Sequence, residues 1–210
     1  MKVLIIDDHS LIRRGLKADI LDIDEDAKVY LAETFEEGIS VLGSEQIDIV
    51  ILDIDIPGGK GVQMIDLIRA KNRAILILVH SGYDEKEYAL PFLQAGANGF
   101  LSKKASSEDF ANAIQTLVTN CKYISPSVQK ILVDTLGSGH VKHVRNPVLS
   151  LSPRELLVMK LLSEGKWNKE IALIMNLKPN TVSTYKKRLF EKLGIQDEHE
   201  IPKIMALYHN

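Results

Sequence analysis

The stretch VILDIDIPGGKG, residues 50–61, carries the strongest fold signal in this chain. It begins as a continuous apolar run, passes into Asp53 and Asp55, and ends in a turn rich in Pro and Gly. A run of Ile, Val and Leu without polar alternation is typical of a strand that is covered on both faces of a sheet. We therefore interpret the stretch as a strand of a parallel sheet, with Asp53 at its carboxyl end.

Similar apolar runs lie on both sides of this strand in the sequence. The five runs cover residues 3–6, 29–31, 47–52, 75–79 and 99–101. Amphipathic stretches alternate with them near 10–22, 34–43, 61–70, 85–95 and 107–119, with Ser10, Thr34 and Ser107 as expected N-caps. Because strands that alternate with helices are joined by right-handed crossovers, residues 1–122 predict an α/β domain with a doubly wound, five-stranded parallel sheet.

The rest of the chain has a different pattern. We interpret residues 123–147 as a linker that contains a short helix from about Ser127 to Leu136, followed by glycines. Residues 148–210 show only helical periodicity, without a strand candidate. Two dissimilar architectures on one chain predict two domains, the second of them all-α.

Composition narrows the class of protein. Of the 210 residues, 45% are apolar and 26% are charged, which is ordinary for a globular chain. No apolar run approaches the roughly 20 residues that span a bilayer, and the opening MKVLIID lacks the regions of a secretory signal. Cys121 is the only cysteine, which excludes an intramolecular disulfide and a cysteine-built zinc site. We expect a cytoplasmic protein without a membrane partner.

Charge is distributed unevenly along the chain. Residues 1–125 carry 13 Lys and Arg against 20 Asp and Glu, whereas residues 148–210 carry 10 against 7. An acidic first part and a mildly basic second part predict a different partner for each of them.

Polar side chains follow four of the predicted strands, at the point where each strand ends. They are Asp7 and Asp8, Asp53, Ser81, and Lys103. The carboxyl ends of parallel strands meet at one edge of the sheet, where ligands bind. Crowded carboxylates resist ionisation unless a cation lies among them, and Mg²⁺ is the hard cation that oxygen ligands suit. An acidic pair alone is often a solvated loop, but the joint placement predicts a phosphoryl-transfer centre with a carboxylate nucleophile.

Four segments carry a family resemblance. They are LIIDDH (4–9), VILDIDIPGGKG (50–61), ILILVHSGYDE (75–85) and AGANGFLSKK (95–104), and they look like the signature segments of response-regulator receiver domains. The resemblance implies that Asp53 accepts a phosphoryl group from a sensor histidine kinase. It also implies Mg²⁺ ligation by Asp8 and Asp53 directly, by Asp7 partly through water, and by the backbone carbonyl of Asp55.

The same resemblance assigns the remaining site residues. Ser81 would be the switch hydroxyl, Lys103 would pair with the phosphate, and Phe100 would be the aromatic residue whose ring changes orientation with phosphorylation. The chain departs from the common pattern at Asp55, which is more often neutral, and at His80, where an apolar residue is usual. We interpret His80 as a histidine at the end of a buried strand rather than as a proton donor.

The second domain begins with a strong helix signal. In LSPRE (151–155), Ser152 is the expected N-cap, Pro153 lies in the first turn and Glu155 is three residues after the cap. Two further helices are expected from Asn168 and from Pro179, the last of them basic and ending at Gly194. A short helix followed by a basic helix is how helix-turn-helix proteins enter the major groove of DNA.

LSPRE, GKWNKEIA (165–172) and LKPNTVSTYKKRLFEKLGI (177–195) closely resemble the LuxR-type helix-turn-helix over residues 149 to about 208. With the receiver, this makes the chain similar to NarL/FixJ-type response regulators. The match implies base contacts from Ser183, Thr184 and Lys187, and further DNA contacts, mainly to phosphates, from Lys178, Thr181, Tyr185, Arg188 and Lys192. Trp167 stands where a small residue is usual.

The expected function is a transcriptional switch rather than an enzyme. Phosphorylation would favour a homodimer on double-stranded DNA, with contact to RNA polymerase as a further expectation. One rival is a phosphatase or phosphotransferase of the haloacid-dehalogenase type, whose Asp-x-Asp pair Asp53-Ile54-Asp55 resembles superficially. A second rival is an atypical regulator that switches without phosphate.

Overall fold

Each of the five apolar runs forms a strand, and the strands are β1 (Lys2–Ile6), β2 (Lys28–Ala32), β3 (Ile49–Leu52), β4 (Leu76–Ser81) and β5 (Gly99–Ser102). The structure, a computed structural model, describes residues 1–137 and 147–208, without the side chains of residues 131, 132, 134–137 and 149. Most of the second half of the expected linker, residues 138–146, therefore lies outside the described residues. The chain divides into two units, Met1–His143 and Val144–Asn210.

In the first unit the strands pair in the order β2-β1-β3-β4-β5, and every pairing is parallel. This confirms the predicted doubly wound sheet. The register aligns Ile6 with Leu52 on neighbouring strands, so the residues that follow them, Asp7 and Asp53, begin side by side. The backbone N–H of Asp53 donates to the carbonyl of Ile6 at 2.9 Å, which extends the pairing into the site.

Helices cover both faces of the sheet. They are α1 (Ser10–Ile23), α2 (Phe35–Ser44), α3 (Gln63–Lys71), α4 (Glu85–Gln94) and α5 (Ser107–Asn120). On one face, Val3, Ile5 and Ile51 pack with Leu16 of α1 and Ile114 of α5 in a core that excludes water. Burial of such aliphatic side chains is the main term that favours folding.

Two of the three expected N-caps in this unit were placed one residue too late. Helix α1 is preceded by His9, whose side chain makes no capping bond, and α5 is capped by Ser106 instead of Ser107. Ser106 is the N-cap because it forms a capping box with Asp109. The Ser106 hydroxyl accepts the backbone N–H of Asp109, and the Asp109 carboxylate accepts the backbone N–H of Ser106. Thr34 caps α2 as predicted, accepting the N–H of Glu37.

Helix α6 (Pro126–Gly137), expected as a short linker helix from about Ser127 to Leu136, packs against α4 and belongs to the first unit. The Glu85 carboxylate at the start of α4 ties it there. Its oxygens accept from the hydroxyls of Ser125 and Ser127 at 2.6 Å each, and from the backbone N–H of Ser102 at 3.1 Å. One carboxylate thus connects α4, the end of β5 and the start of α6.

The second unit is helical throughout its described residues, as predicted. A 3-10 helix (Pro147–Ser150) precedes α7 (Pro153–Ser163), α8 (Asn168–Ile174) and α9 (Pro179–Leu193), and a second 3-10 helix (Glu198–Glu200) precedes α10 (Ile201–Tyr208). Ser152 and Glu155 form the expected capping box, and Gly194 ends α9 with a positive φ of 70°. Across 1–137 and 147–208, the structure contains no helix with the length and apolar character needed to cross a bilayer.

Candidate phosphoryl-acceptor site and basic helix

The centre of the first unit's site is a lysine held between two buried carboxylates. Asp7 follows β1, Asp53 follows β3 and Lys103 follows β5, so all three are delivered to the same edge of the sheet. The Lys103 Nζ atom lies 2.8 Å from Asp53 Oδ2 and 2.7 Å from Asp7 Oδ2. The two carboxylate side chains are only 3% and 2% exposed, respectively.

Burial and charge oppose each other at this centre. Burial raises the pKa of Asp53, and the hydrogen bond from Lys103 lowers it by less, so the net shift is upward. Burial lowers the pKa of Lys103, but hydrogen bonds to Asp53 and Asp7 more than offset this and raise it overall. The ammonium group therefore stays charged, and it supplies the positive charge that lets two neighbouring carboxylates coexist.

Two exposed residues extend the acidic pocket outward. Asp8 and His9 follow Asp7, and the His9 Nδ1 atom lies 2.7 Å from Asp8 Oδ1 and 3.2 Å from Asp7 Oδ1. One potential ligand atom from each of Asp7, Asp8, His9 and Asp53 falls within 4.8 Å of the others. The carboxylate oxygens of this set are hard donors, which fit a hard divalent cation such as Mg²⁺. Asp55 is exposed at the rim.

The pocket opens into a cleft of about 270 Å³ that is lined by Asp53, Asp55, Ser81, Tyr83 and Lys103 together with His9, Ile12 and Gly82. Ser81 ends β4 and is fully buried, and its Oγ accepts the backbone N–H of Tyr83 at 3.3 Å. A phosphoryl group attached to Asp53 would enter this cleft beside a hydroxyl donor and an ammonium group.

Phe100, the expected switch aromatic, lies opposite Val79 in the pairing of β5 with β4. Its side chain is 1% exposed, and its ring centroid is 6.4 Å from that of Phe92 on α4. His80, between Val79 and Ser81, is also buried, and it meets the ring of Phe110 edge-on. Burial lowers the pKa of His80 to about 4, which favours a neutral histidine at the end of a buried strand.

One residue that supports the pocket, Arg13, was not predicted from the sequence. Arg13 on α1 is buried, and its guanidinium donates to the backbone carbonyl of Asp7 and pairs with Glu33 at the end of β2. It thereby fixes the peptide that carries the first carboxylate. Arg13 lies six residues after Asp7 in a helix with a second arginine beside it, and no sequence signal distinguishes the two.

Helix α9 of the second unit presents one apolar face and one polar face. Val182, Leu189 and Leu193 are buried, which agrees with the inner side expected for this helix. Among the expected DNA contacts, the exposed side chains are Lys178, Ser183, Thr184, Lys187, Arg188 and Lys192, whereas Thr181 and Tyr185 are half-buried. Most of the expected contact residues are thus accessible to a partner.

Three of these side chains already have partners within the unit. The hydroxyls of Ser183 and Thr184 donate to carbonyls one turn earlier, at 3.2 and 3.0 Å, which leaves their oxygens able to accept. Lys192 Nζ lies 2.7 Å from the buried Glu155 carboxylate and 3.1 Å from the carbonyl of Ser150. The Lys192 hydrogen bond lowers the pKa of Glu155 to about 2, so this lysine stabilises the fold, and its contact to phosphate stays a prediction.

The fold and the site define a class of protein: a two-domain regulator with an aspartate phosphoryl-acceptor site and a helix-turn-helix. Two family models match the chain, the response regulator receiver domain over residues 3–115 and the luxR family of bacterial regulatory proteins over residues 149–205. The chain belongs to the response regulators of the NarL/FixJ type, which combine a receiver domain with a LuxR-type DNA-binding domain.

Individual relatives match along the whole length. The chain is 36% identical over 210 residues to the DNA-binding transcriptional activator EvgA of Escherichia coli (strain K12), covering 99% of this chain and 96% of EvgA. It is 29% identical over 209 residues to the response regulator UvrY of the same strain, covering 100% and 94%. A solved structure of RcsB from Salmonella enterica serovar Typhimurium, bound to promoter P1flhDC in the presence of phosphomimetic BeF3-, matches with a TM-score of 0.70, 25% identity and 98% of both chains.

Proposed function

We propose that Asp53 is phosphorylated by a sensor histidine kinase and that this modification switches DNA binding by the second unit. The observation that carries the proposal is the buried Asp53 carboxylate, paired with Lys103 at 2.8 Å and open to the cleft beside Ser81. Burying a carboxylate costs stability even when it is paired, so its presence favours a functional role, and this one faces a space that a phosphoryl group would fill.

The chemistry follows from the residues that line the cleft. An Asp53 oxygen attacks the phosphorus atom, the bond from phosphorus to the donor nitrogen breaks, and the kinase histidine leaves. Lys103 offsets the charge on the transferred oxygens, and Ser81 donates a hydrogen bond to one of them. Asp7, Asp8, Asp53 and the Asp55 carbonyl would hold Mg²⁺, which neutralises phosphate charge when bound.

The switch would run through β4 and β5. Ser81 moves toward the phosphoryl group, and the β4–α4 segment and Phe100 repack around the new position. The repacked receiver favours a homodimer, which places two helix-turn-helix units on paired half-sites of double-stranded DNA. Contact with RNA polymerase and a cytoplasmic location belong to the same proposal, and the aspartyl phosphate is a signal rather than an intermediate of enzymatic turnover.

Base readout would come from Ser183, Thr184 and Lys187 on the exposed face of α9. Ser and Thr discriminate between bases less sharply than a bidentate Arg or Asn, so DNA shape contributes to the choice of site. The RcsB structures bound to promoter DNA support DNA binding by a chain of this architecture.

Incubation with acetyl phosphate tests the acceptor directly. Intact mass of the wild type should show one phosphoryl adduct that requires Mg²⁺, and Asp53→Asn should show none. Asp55→Asn is the matched control, because it keeps the backbone carbonyl that is expected to bind the metal, and it should retain the adduct. Failure of the wild type to form an adduct or to bind beryllofluoride would favour a regulator that works without phosphate.

A turnover assay separates the phosphatase rival. Release of inorganic phosphate from a small phosphate ester in large excess over the protein would contradict a signalling role for the aspartyl phosphate. We expect acetyl phosphate to modify the chain and small phosphomonoesters to remain intact.

A further inference from the structure

A tryptophan side chain is exposed at the start of α8. Trp167 is the only tryptophan in the chain, and 79% of it is exposed. Tryptophan normally contributes its large apolar area to a core or an interface. Trp167 lines an open groove instead of standing alone on a flat surface, so the residues of the groove indicate which partner it would fit.

The side chain of Trp167 has no structural task in the helix that it precedes. It is the N-cap of α8, but no capping bond from its side chain is found among the described residues. The helix start is secured by Glu170, whose carboxylate accepts the backbone N–H of Trp167 at 2.7 Å. The indole ring and its N–H group are consequently available to another molecule.

The start of α8 lies beside the exposed face of α9. Asn168 Nδ2 is 3.5 Å from Ser183 Oγ, and Ser183 is one of the residues expected to face bases. Trp167 directly precedes Asn168, and it lines one groove together with Lys186 of α9, so it lies beside the helix on which DNA would lie. A molecule bound to the exposed face of α9 could therefore also contact Trp167.

The charge around Trp167 favours an anionic partner. Lys166 and Lys169 line the same open groove of about 830 Å³ as Trp167, and neither forms an ion pair within residues 147–208. Lys186 and Glu198 also line this groove, but they are paired with each other. Among the charged side chains that line this groove, Lys166 and Lys169 are thus the ones without an ion pair in the described part of the chain, and both are cationic.

We propose that Trp167 contacts the sugar-phosphate backbone of double-stranded DNA, next to the groove that α9 reads. The indole ring packs against a deoxyribose, its N–H donates to a phosphate oxygen, and Lys166 and Lys169 neutralise the neighbouring phosphates. This inference rests on the proposed DNA binding, and it adds a contact that fixes how α9 is seated.

The single tryptophan makes a direct test possible. Full-length protein treated with beryllofluoride is titrated with a labelled mixed-sequence duplex at low salt, and DNA anisotropy and tryptophan emission are recorded together. We expect the emission to shift and acrylamide quenching to fall in step with the anisotropy. Unchanged emission and quenching while the anisotropy reports a complex would overturn the inference, as would burial of Trp167 that depends on protein concentration without DNA.

Variants resolve the contact into its parts. Trp167→Ala should weaken binding roughly three- to tenfold without changing the salt slope, because the indole group is uncharged. Lys166→Ala with Lys169→Ala should reduce the slope by about two. Leu173→Ala is the matched control, since Leu173 is 82% exposed on the same helix and does not line the groove, and it should bind like the wild type.

The two proposals fail in different ways. If neither the wild type nor Arg188→Ala binds DNA, the proposed function fails. If the wild type binds, Arg188→Ala binds weakly and Trp167→Ala binds like the wild type with an unchanged melting temperature, only the Trp167 contact is wrong.

Discussion

The two units of this protein use charge in opposite ways. In the receiver, the Lys103 ammonium group lies 2.7 Å from the Asp7 carboxylate and 2.8 Å from the Asp53 carboxylate, and 13% or less of each side chain is exposed. On α9, Lys187 and Arg188 are exposed and form no ion pair within the described residues. Each buried charge needs an oppositely charged partner to offset the cost of its desolvation. Exposed charges interact only weakly with their neighbours and are available to bind another molecule. The difference predicts which substitutions affect folding and which affect only binding.

The largest effect on stability is expected at the buried triad. Lys103→Met leaves Asp7 and Asp53 without a cation, so we expect the free energy of unfolding to fall by about 3 kcal/mol at neutral pH. Lys104→Met, at the exposed neighbouring position, should change it by less than about 0.5 kcal/mol. Urea denaturation followed by far-UV circular dichroism measures both.

The dependence of the Lys103→Met defect on Mg²⁺ and on pH tests whether its cause is electrostatic. Mg²⁺ should restore part of the stability of Lys103→Met, because a cation that binds only the folded state shifts unfolding by mass action. The raised pKa of Asp53 means that its charged form disfavours the folded state, so lowering the pH through this folded pKa should reduce the loss. Equal instability at all pH values and Mg²⁺ concentrations would show that the defect is packing rather than charge.

A smaller effect on stability is expected at Glu85, a single carboxylate that accepts hydrogen bonds from uncharged donors. Glu85 accepts hydrogen bonds from Ser102, Ser125 and Ser127 through both of its carboxylate oxygens. Glu85→Gln keeps only one acceptor oxygen and removes the negative charge, so some of these bonds are lost or weakened. We expect a loss of about 1.5 kcal/mol and faster hydrogen exchange at residues 126–130, because α6 loses its tie to α4. Glu108→Gln, an exposed acid in the first turn of α5, is the control and should leave exchange in α6 unchanged.

Within α9, two lysines five residues apart show the same contrast between a charge that stabilises the fold and a charge that is available for binding. Lys192 pairs with Glu155, which is 4% exposed, whereas Lys187 is exposed without an ion pair in the described part of the chain. Lys192→Met should lower the free energy of unfolding by about 1 kcal/mol, a value that allows for the partial exposure of Lys192. Lys187→Met should leave it almost unchanged.

The pH dependence identifies the cause of the Lys192 effect. Since the folded pKa of Glu155 is lowered to about 2, its contribution is present above the unfolded pKa of roughly 4.3 and is lost as the pH falls toward 2. The wild type and Lys192→Met should therefore converge in stability in acid. A constant difference between them from pH 7 to pH 3 would contradict the ion-pair explanation.

The sequence predicted those parts of the structure that local pattern determines. Strand ends could be read from apolar runs, and parallel strands then force Asp7, Asp53 and Lys103 to one edge. Ser152 was identified as a cap because Glu155 follows at the correct spacing, and the same test applied to Ser106 and Asp109 would have corrected the start of α5.

Contacts between distant elements could not be predicted in the same way. Glu85 meets Ser125 and Ser127 some 40 residues later, and Arg13 meets Glu33, only because helices pack on the sheet at particular angles. The exposure of Trp167 was equally undetermined, because an aromatic residue at the start of a short helix fits a core and a surface alike. Single-chain patterns contain periodicity, but they do not contain the packing angles that bring such pairs together.

The smallest effect on folding, and the clearest effect on binding, is expected on the exposed face of α9. Arg188→Ala should leave the free energy of unfolding within about 0.5 kcal/mol of the wild type. It should weaken binding to different duplexes by a similar factor and reduce the salt slope by about one, because a phosphate contact carries no sequence information. Lys187→Ala should instead reduce discrimination between operator and mixed-sequence DNA, because Lys187 is expected to face bases. Anisotropy titrations with both duplexes at two salt concentrations distinguish the roles, and an exchange of the two phenotypes would mean that α9 is rotated in the groove relative to the contacts proposed here.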